Sequence, residues 1–287
     1  MSAIDASHRI VADLLRARTG QHLSETRMWR VPSALAGLFR ARGISNVDQL
    51  VCLLADPNAR DLATEVVEAL LNNETYFFRD NAFFERLSQT VLPDLHERRR
   101  ASKRIAIWSA GCSTGQEALS LAMLFADDPE RWQGWDIEIL GTDVSHKAIE
   151  TAKHGLYSQF EIQRGIDVRR MLRHFEETAT GWQAKPELRA LTRFHQANLF
   201  AAPPATHGFD LVLCRNVLLY FDAATRAKAF ARLAQGMAGD GWLMMGAGET
   251  VVGQTPLFQT ADEGPNLYRR CHAASLTQER AREAMVG

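Results

Sequence analysis

The sequence has 287 residues, of which 46% are hydrophobic, so the chain is long enough for two domains with a substantial core. Its 33 basic and 34 acidic residues leave a net charge of −1, which excludes a strong overall field that would attract nucleic acid or an anionic membrane. The four cysteines are widely spaced, and no apolar run approaches a signal peptide or the ~20 residues of a membrane span. These features predict a soluble protein of the cytoplasm.

Residues 1–80 are predicted to form an all-helical domain. Between Ile4 and Leu71 the apolar residues recur at helical spacing, and Gly20 and Gly43 stand where helices are expected to end. The first 42 residues contain three acidic residues and seven arginines. The arginines are Arg9, Arg16, Arg18, Arg27, Arg30, Arg40 and Arg42. This basic surface fits either docking to an acidic partner or an ordinary solvated helix surface.

The next segment, residues 81–103, is predicted to be a helical linker whose closing basic run is solvated. From residue 104 to 270 strands alternate with helices, which predicts a parallel sheet with helices on both faces. The strands are expected at residues 104–109, 137–141, 209–214, 242–245 and 266–270, the last of them closing the sheet. Residues 160–194 break the alternation and are predicted to form a small antiparallel insert, and residues 271–287 a polar helical tail.

A turn of small residues, residues 110–115, follows the first strand and leads directly into a helix. Small residues let the main chain approach a ligand closely. The turn contains neither a dinucleotide fingerprint nor a phosphate loop. Glu117 in the first helical turn disfavours a phosphate there and favours a cationic or hydroxyl-bearing ligand.

Polar residues also follow the other predicted strands, where ligands of open α/β sheets bind. Asp143 could accept hydrogen bonds from both hydroxyls of a ribose, or it could cap a turn or a helix. Asn198 is placed to contact an adenine edge, and Asn216 follows a strongly apolar strand. Together these strand ends favour a cofactor that contains adenosine.

In these residues the sequence resembles the chemotaxis-receptor glutamate methyltransferases, the CheR family of S-adenosylmethionine-dependent methyltransferases. The match runs from about Asn72 to Tyr268. The motifs that carry it are Asn73-Glu-Thr75-Tyr-Phe77-Phe78-Arg79, Trp108-Ser-Ala-Gly-Cys-Ser-Thr-Gly-Gln-Glu117, Gly141-Thr-Asp143, Asn198-Leu199 and Cys214-Arg-Asn216-Val-Leu-Leu-Tyr220-Phe-Asp222. One departure is Ala118-Leu119, where the family usually has Pro-Tyr.

The resemblance implies an α/β fold, namely a Rossmann-like methyltransferase sheet at residues 104–270 with an N-terminal all-helical domain and a small antiparallel β insert. It implies S-adenosylmethionine as cofactor, S-adenosylhomocysteine as product, and no metal. The residues that it assigns to the cofactor are Asn73, Thr75, Arg79, Glu117, Asp143, Asn198, Leu199, Asn216 and Val217. Arg79 could instead form a surface salt bridge. Tyr220 is the candidate for orienting the substrate carboxylate, although it could also be a partly buried core tyrosine.

The implied activity is O-methylation of glutamate side chains in the cytoplasmic helical region of methyl-accepting chemotaxis receptors. A glutamate side chain, whose pKa in water is about 4.3, is ionised at neutral pH, so the reaction needs no general base. The basic helical domain is expected to dock on acidic receptor helices, and in some members of the family the insert holds a receptor's C-terminal tail peptide. We expect a monomer without nucleic acid or membrane insertion. A nucleic-acid methyltransferase and a cofactor-sensing or scaffolding module remain the alternatives.

Overall fold

The computed structural model describes residues 6–204 and 208–271. The predicted tail at residues 271–287 therefore lies outside the described residues, except for Cys271. The chain divides into two units. The helical unit comprises the described part of Met1–Asn73 with Tyr220–Thr225, and the α/β unit comprises Glu74–Leu219 with the described part of Arg226–Gly287. None of the helices described is long and apolar enough to cross a membrane.

The helical unit contains four α-helices and a short 3-10 turn, Glu25–Arg27. The helices are α1 (Ala6–Thr19), α2 (Arg30–Arg42), α3 (Val47–Leu54) and α4 (Arg60–Leu70). Each contributes a fully buried apolar residue to one cluster, namely Val11, Leu35, Leu50 and Val66. Gly43 ends α2 in the left-handed conformation, as its position in the sequence predicts.

The α/β unit contains ten strands, seven further α-helices and a π-helical turn at Leu87–Val91. An eighth helix, Ala223–Gly236, and a 3-10 turn at Leu218–Tyr220 each include residues of both units. The strands are β1 (Arg104–Ala110), β2 (Asp136–Asp143), β3 (Leu156–Tyr157), β4 (Phe175–Thr178), β5 (Gly181–Ala184), β6 (Thr192–Gln196), β7 (Phe209–Cys214), β8 (Met237–Met245), β9 (Phe258–Thr260) and β10 (Leu267–Arg270). The helices are α5 (Asn81–Arg86), α6 (Leu92–Arg98), α7 (Gln116–Ala126), α8 (His146–His154), α9 (Gln159–Ile162), α10 (Val168–His174), α11 (Pro186–Ala190) and α12 (Ala223–Gly236).

Seven strands form a large sheet in the order β6-β2-β1-β7-β8-β10-β9. The first five are parallel to their neighbours, and β10 runs antiparallel to both β8 and β9. The mostly parallel α/β fold predicted from the sequence is confirmed. The expectation that the last strand closes the sheet is wrong, because the unpredicted strand β9 takes the edge and β10 lies inside it.

A small antiparallel sheet, β3-β5-β4, forms the insert. It begins at Leu156, before the predicted boundary of residue 160, and β6 at residues 192–196 belongs to the large sheet instead. The ring of Phe77 packs edge-on against Tyr157 at 5.1 Å and Phe175 at 5.3 Å. A Cβ on Gly165 would lie 1.8 Å from the carbonyl oxygen of Phe77, so this position requires glycine. The insert is thus packed tightly against residues 74–80.

The segment predicted to be a helical linker is part of the core. Leu87, Val91 and Leu95 are fully buried in the main apolar cluster of the α/β unit. The side chain of Arg99 is only 20% exposed and forms ion pairs with Asp210 and Asp240. The expectation that this basic run is solvated is therefore wrong for Arg99, since the acidic side chains that pair with it come from distant strands.

Candidate active site

The candidate site lies at the carboxyl ends of four neighbouring parallel strands. In the register of the sheet, Ala110 of β1 lies beside Thr142 of β2, and Asp143 lies beside Gln196 of β6. On the other side, Ser109 of β1 lies beside Leu213 of β7. The loops that follow these four strands therefore leave the sheet at one edge, as the alternation in the sequence predicts.

The glycine turn, residues 110–115, connects β1 to α7 at this edge of the sheet. Gly111, Ser113 and Gly115 all have a positive φ, of 82°, 51° and 94°. A Cβ on Gly111 would lie only 2.4 Å from Cγ2 of Val217. Glycine is therefore required at this position, because the loop that begins at Asn216 lies directly against the turn.

Glu117 is held by two side chains at the start of α7. Its Oε1 accepts a hydrogen bond from the hydroxyl of Ser109 at 2.7 Å, and its Oε2 accepts one from Nη1 of Arg215 at 3.0 Å. The side chain of Glu117 is 14% exposed. Each carboxylate oxygen can accept two hydrogen bonds, so this fixed carboxylate keeps the capacity to bind a ligand.

Arg215 is the most enclosed charged residue of the site, with 1% of its side chain exposed. Its Nη2 donates to Oδ2 of Asp80 at 2.7 Å and to the carbonyl oxygen of Arg79 at 2.8 Å. The guanidinium carbon lies 3.7 Å from the centre of the Phe83 ring. Through these contacts Arg215 connects Glu117 with the segment that carries Arg79.

Asp143 at the end of β2 accepts two main-chain hydrogen bonds. The N–H of Ser113 donates to Oδ2 at 2.9 Å, and the N–H of Ser145 donates to Oδ1 at 2.9 Å. The structural role that the sequence left open for Asp143 is therefore present. A ribose role is compatible with it, because a carboxylate oxygen can accept more than one hydrogen bond.

A second carboxylate, Glu249, holds the loop that follows β7. It is 8% exposed, and its two oxygens accept hydrogen bonds from five main-chain N–H groups. These belong to Asn216, Val217, Leu218, Leu219 and Gly246, at donor–acceptor distances of 2.7–3.2 Å. We call this arrangement the carboxylate clasp. It fixes Asn216, which has a φ of 59°, and Val217 over the glycine turn.

The other predicted cofactor residues of the α/β unit lie after β6 and in the segment before α5. Asn198 and Leu199 follow β6, and Oδ1 of Asn198 accepts a hydrogen bond from the N–H of Phe200 at 3.0 Å. Arg79 is half-buried and donates to the carbonyl oxygen of Glu74 at 3.0 Å. Thr75 is half-buried as well. Their assignment to the cofactor therefore stays a prediction.

Two predicted residues, Asn73 and Tyr220, belong to the helical unit. The hydroxyl of Tyr220 accepts a hydrogen bond from Nδ2 of Asn72 at 2.9 Å, and its carbonyl oxygen accepts one from the N–H of His22 at 2.7 Å. The tyrosine is half-buried. Its hydroxyl proton stays available for donation, because Asn72 is the donor in their hydrogen bond.

The cysteines beside the site are structural. Cys112 and Cys214 are buried, and this burial raises the pKa of both thiols, so neither is a thiolate at neutral pH. Within residues 6–204 and 208–271, His, Cys, Asp and Glu side chains form no group that could hold a metal ion.

Sequence reasoning missed the roles of Arg215 and Glu249. Arg215 lies in the motif that begins at Cys214, directly after a strongly apolar strand. An arginine at such a position indicates a buried charge that needs a partner. Glu249 follows β8 in the run Gly246-Ala-Gly-Glu249. The rule that drew attention to Asp143, a polar residue after a parallel strand, applies equally to Glu249.

Comparison with known proteins places this site in a family context. The family model described as "CheR methyltransferase, SAM binding domain" matches residues 73–265. Chemotaxis protein methyltransferase 1 of Pseudomonas aeruginosa is 32% identical over 274 residues, which cover 94% of this chain and 99% of that protein. Chemotaxis protein methyltransferase Cher2 of Pseudomonas putida is 32% identical over 88% of this chain and 93% of its own length. Chemotaxis protein methyltransferase 1 of Vibrio cholerae is 29% identical, with coverage of 92% and 96%.

Proposed function

Because the chain belongs to the CheR methyltransferase family, it is an S-adenosylmethionine-dependent methyltransferase, and we propose that it methylates glutamate side chains of chemotaxis receptors. The observation that carries this proposal is the arrangement at the edge of the large sheet. There, Glu117, Asp143 and the loop at residues 216–219 surround the glycine turn, and all of them lie within the residues that match the family model.

The residues at this edge fit S-adenosylmethionine in their chemistry. The glycine turn packs closely against the loop that follows β7, since a Cβ on Gly111 would collide with Val217. Glu117 and Asp143 are acidic side chains, which suit a ligand that carries hydroxyl groups and positive charge. A phosphate-bearing cofactor would be repelled by the same pair.

The proposed division of roles follows the chemistry of each side chain. Asp143 would accept hydrogen bonds from the ribose hydroxyls, and Asn198 would recognise the polar edge of the adenine. Arg79 would pair with the cofactor's carboxylate. The remaining proposed contacts come from Asn73, Thr75, Glu117, Leu199, Asn216 and Val217.

When bound, the cofactor supplies an electrophilic methyl group on a sulfonium. The attacking glutamate is already ionised at neutral pH, so the protein needs to position it and to exclude water, and no general base is required. We assign Tyr220 to orienting that carboxylate, because Asn72 donates to the tyrosine oxygen and leaves the hydroxyl proton free to donate.

The proposed partner is the cytoplasmic helical region of a methyl-accepting receptor, and the enzyme would act there as a monomer in the cytoplasm. Methylation removes negative charge from receptor helices, which relieves repulsion between neighbouring carboxylates and shifts a signalling equilibrium. The arginine-rich helical unit supplies a complementary surface, with exposed Arg9 on α1 and Arg40 on α2. We also propose that the small sheet binds the C-terminal tail peptide of a receptor.

The direct test uses purified protein, methyl-labelled S-adenosylmethionine and receptor cytoplasmic fragments. The expected result is label on the receptor that mild base releases, because a glutamate methyl ester hydrolyses under those conditions. Fragments in which the labelled glutamates are replaced by alanine are the matched control. Binding of S-adenosylhomocysteine without transfer to any of several receptors would contradict the proposal and favour a cofactor-sensing module.

A further inference from the structure

We propose that Glu249 is a positioning residue for this reaction, whose carboxylate clasp presents Asn216 and Val217 to the cofactor. The inference rests on the proposed function, since it assigns a role to a residue that supports the cofactor loop without touching the cofactor. It depends on one feature of the described structure, namely five main-chain N–H groups that converge on a single buried carboxylate.

The clasp divides its donors between the two oxygens. Oε1 accepts from the N–H groups of Val217 at 3.0 Å, Leu218 at 2.8 Å and Leu219 at 3.2 Å. Oε2 accepts from Asn216 at 2.7 Å and Gly246 at 3.0 Å. Successive N–H groups in such a turn create an anion-binding concavity, and here the anion is supplied by the protein itself.

The loop needs this support because its conformation is unfavourable on its own. Asn216 has a φ of 59°, a left-handed value that a residue with a side chain adopts at some cost. The carboxylate holds the N–H groups on both sides of this strained position and so offsets the cost. Without it, the loop would be free to relax away from Gly111.

Glu249 is itself held in place. The amide of Asn266, just before β10, donates to the carbonyl oxygens of Gly246 at 2.9 Å and Glu249 at 3.1 Å. Asn266 therefore fixes the main chain that carries Glu249, and the carboxylate of Glu249 in turn fixes the loop at residues 216–219. This arrangement is typical of a second layer of hydrogen bonds that orients a binding loop.

A glutamine at this position separates the charge from the shape of Glu249. In Glu249→Gln the side chain keeps its size, but its NH2 group must face two or three N–H donors and leaves them without an acceptor. Glu249→Asp keeps the charge with a shorter reach, so it is expected to show a smaller effect at the same place. Glu263→Gln removes an exposed carboxylate from the same unit and serves as the matched control.

Amide hydrogen exchange on the cofactor-free proteins, followed by titration with S-adenosylhomocysteine, tests the proposal. In Glu249→Gln we expect the amides of residues 216–219 and 246 to exchange at least about tenfold faster, while β7 and β8 stay protected. The Kd for S-adenosylhomocysteine should rise by about tenfold or more, and the KM for S-adenosylmethionine should rise more than kcat falls. Glu263→Gln should match the wild type.

Four results would overturn the proposal. Unchanged protection of residues 216–219 in Glu249→Gln would show that the carboxylate does not hold the loop. Loss of protection throughout the large sheet, in both Glu249→Gln and Glu249→Asp, would show a role in global stability alone. Unchanged affinity with an opened loop would remove the positioning role by itself, whereas wild-type protein that binds no S-adenosylhomocysteine would also remove the proposed function.

Discussion

The two ends of the large sheet hold their carboxylates in different ways. At the amino ends of β7 and β8, Asp210 and Asp240 are bound to Arg99, so opposite charges neutralise each other there. At the carboxyl ends, Asp143 and Glu249 are bound to main-chain N–H groups instead. Ion pairs between distant strands therefore hold the amino end, whereas main-chain hydrogen bonds to carboxylates hold the loops at the carboxyl end.

The acid–base properties of the amino end agree with this view. The hydrogen bond from Arg99 lowers the pKa of Asp240 to about 2, and the pKa of Arg99 is correspondingly raised. Burial disfavours the ionised form of Asp94, but hydrogen bonds from Arg98 and Trp242 outweigh it and lower the pKa of this carboxyl group. The amino end is therefore a network whose charges persist into acid.

The largest expected effect concerns Arg215, a buried charge at the carboxyl end whose ion pairs are the exception to this comparison. Arg215→Ala removes the arginine that pairs with Glu117, so the free energy of unfolding should fall by about 3–5 kcal/mol. Urea denaturation measures the loss. Arg100→Ala removes an arginine that is 75% exposed and should change the stability by less than about 0.5 kcal/mol. Similar stabilities for the two variants would refute the enclosed role of Arg215.

Next in size is the removal of one carboxylate from each end. Asp143→Ala should weaken binding of S-adenosylhomocysteine by at least about tenfold, because the ribose loses a charged acceptor. Asp240→Ala, at the opposite end of the sheet, should leave the affinity unchanged. Calorimetric titration distinguishes them, and equal affinities would mean that Asp143 acts only as the turn ligand seen in its bonds to Ser113 and Ser145.

A smaller effect is expected on the helical unit, where two interpretations of the basic surface remain. In the double variant Arg9→Glu and Arg40→Glu, the KM for a receptor fragment should rise by about threefold to tenfold at low salt, and less at high salt. Arg100→Glu, a matched charge reversal in the α/β unit, should leave the KM unchanged. Identical KM values for all three proteins would favour the solvated-surface interpretation.

The smallest expected effect is on thermal stability, and it tests the ion pair between Asp240 and Arg99 at the amino end of the sheet. Asp240 is half exposed, so solvent screening limits its contribution to under about 1 kcal/mol, and Asp240→Asn should lower the Tm by at most about 2–4 °C at neutral pH. Because folding depresses the pKa of Asp240 from 3.8 to about 2, its contribution is complete above about pH 5. The Tm difference between variant and wild type should disappear as the pH falls towards 2. A difference that persists at pH 2 would contradict the ion-pair origin.

The sequence predicts the parallel part of the sheet well, since β1, β2 and β7 are strongly apolar and lead into turns and capped helices. It predicts the edge of the sheet less well. The three-residue strand β9 is too short to show a period. Strand β8 begins at Met237, five residues before the predicted start. The sequence does not show this early start, because Gly239 and Gly241 interrupt the apolar pattern of the strand.

For the site, the sequence locates the loops but not the contacts that hold them. Asp143 and Asn216 could be found because they follow predicted strands. The pairing of Arg215 with Asp80, and of Glu249 with residues 216–219, joins parts of the chain that are 135 and about 30 residues apart. Such long-range partners depend on tertiary packing, which neither hydrophobic periodicity nor local spacing encodes.

The close fit of the small sheet has a consequence for genetics. Besides packing on Phe77, Tyr157 donates from its hydroxyl to the carbonyl oxygen of Thr114 in the glycine turn, at 2.8 Å. A deletion mutant that lacks the insert therefore disturbs the glycine turn as well, and its phenotype cannot be ascribed to a lost receptor tail alone. Single substitutions on the exposed side of β4, such as at Glu176, leave those buried contacts intact and give the cleaner allele for a chemotaxis screen.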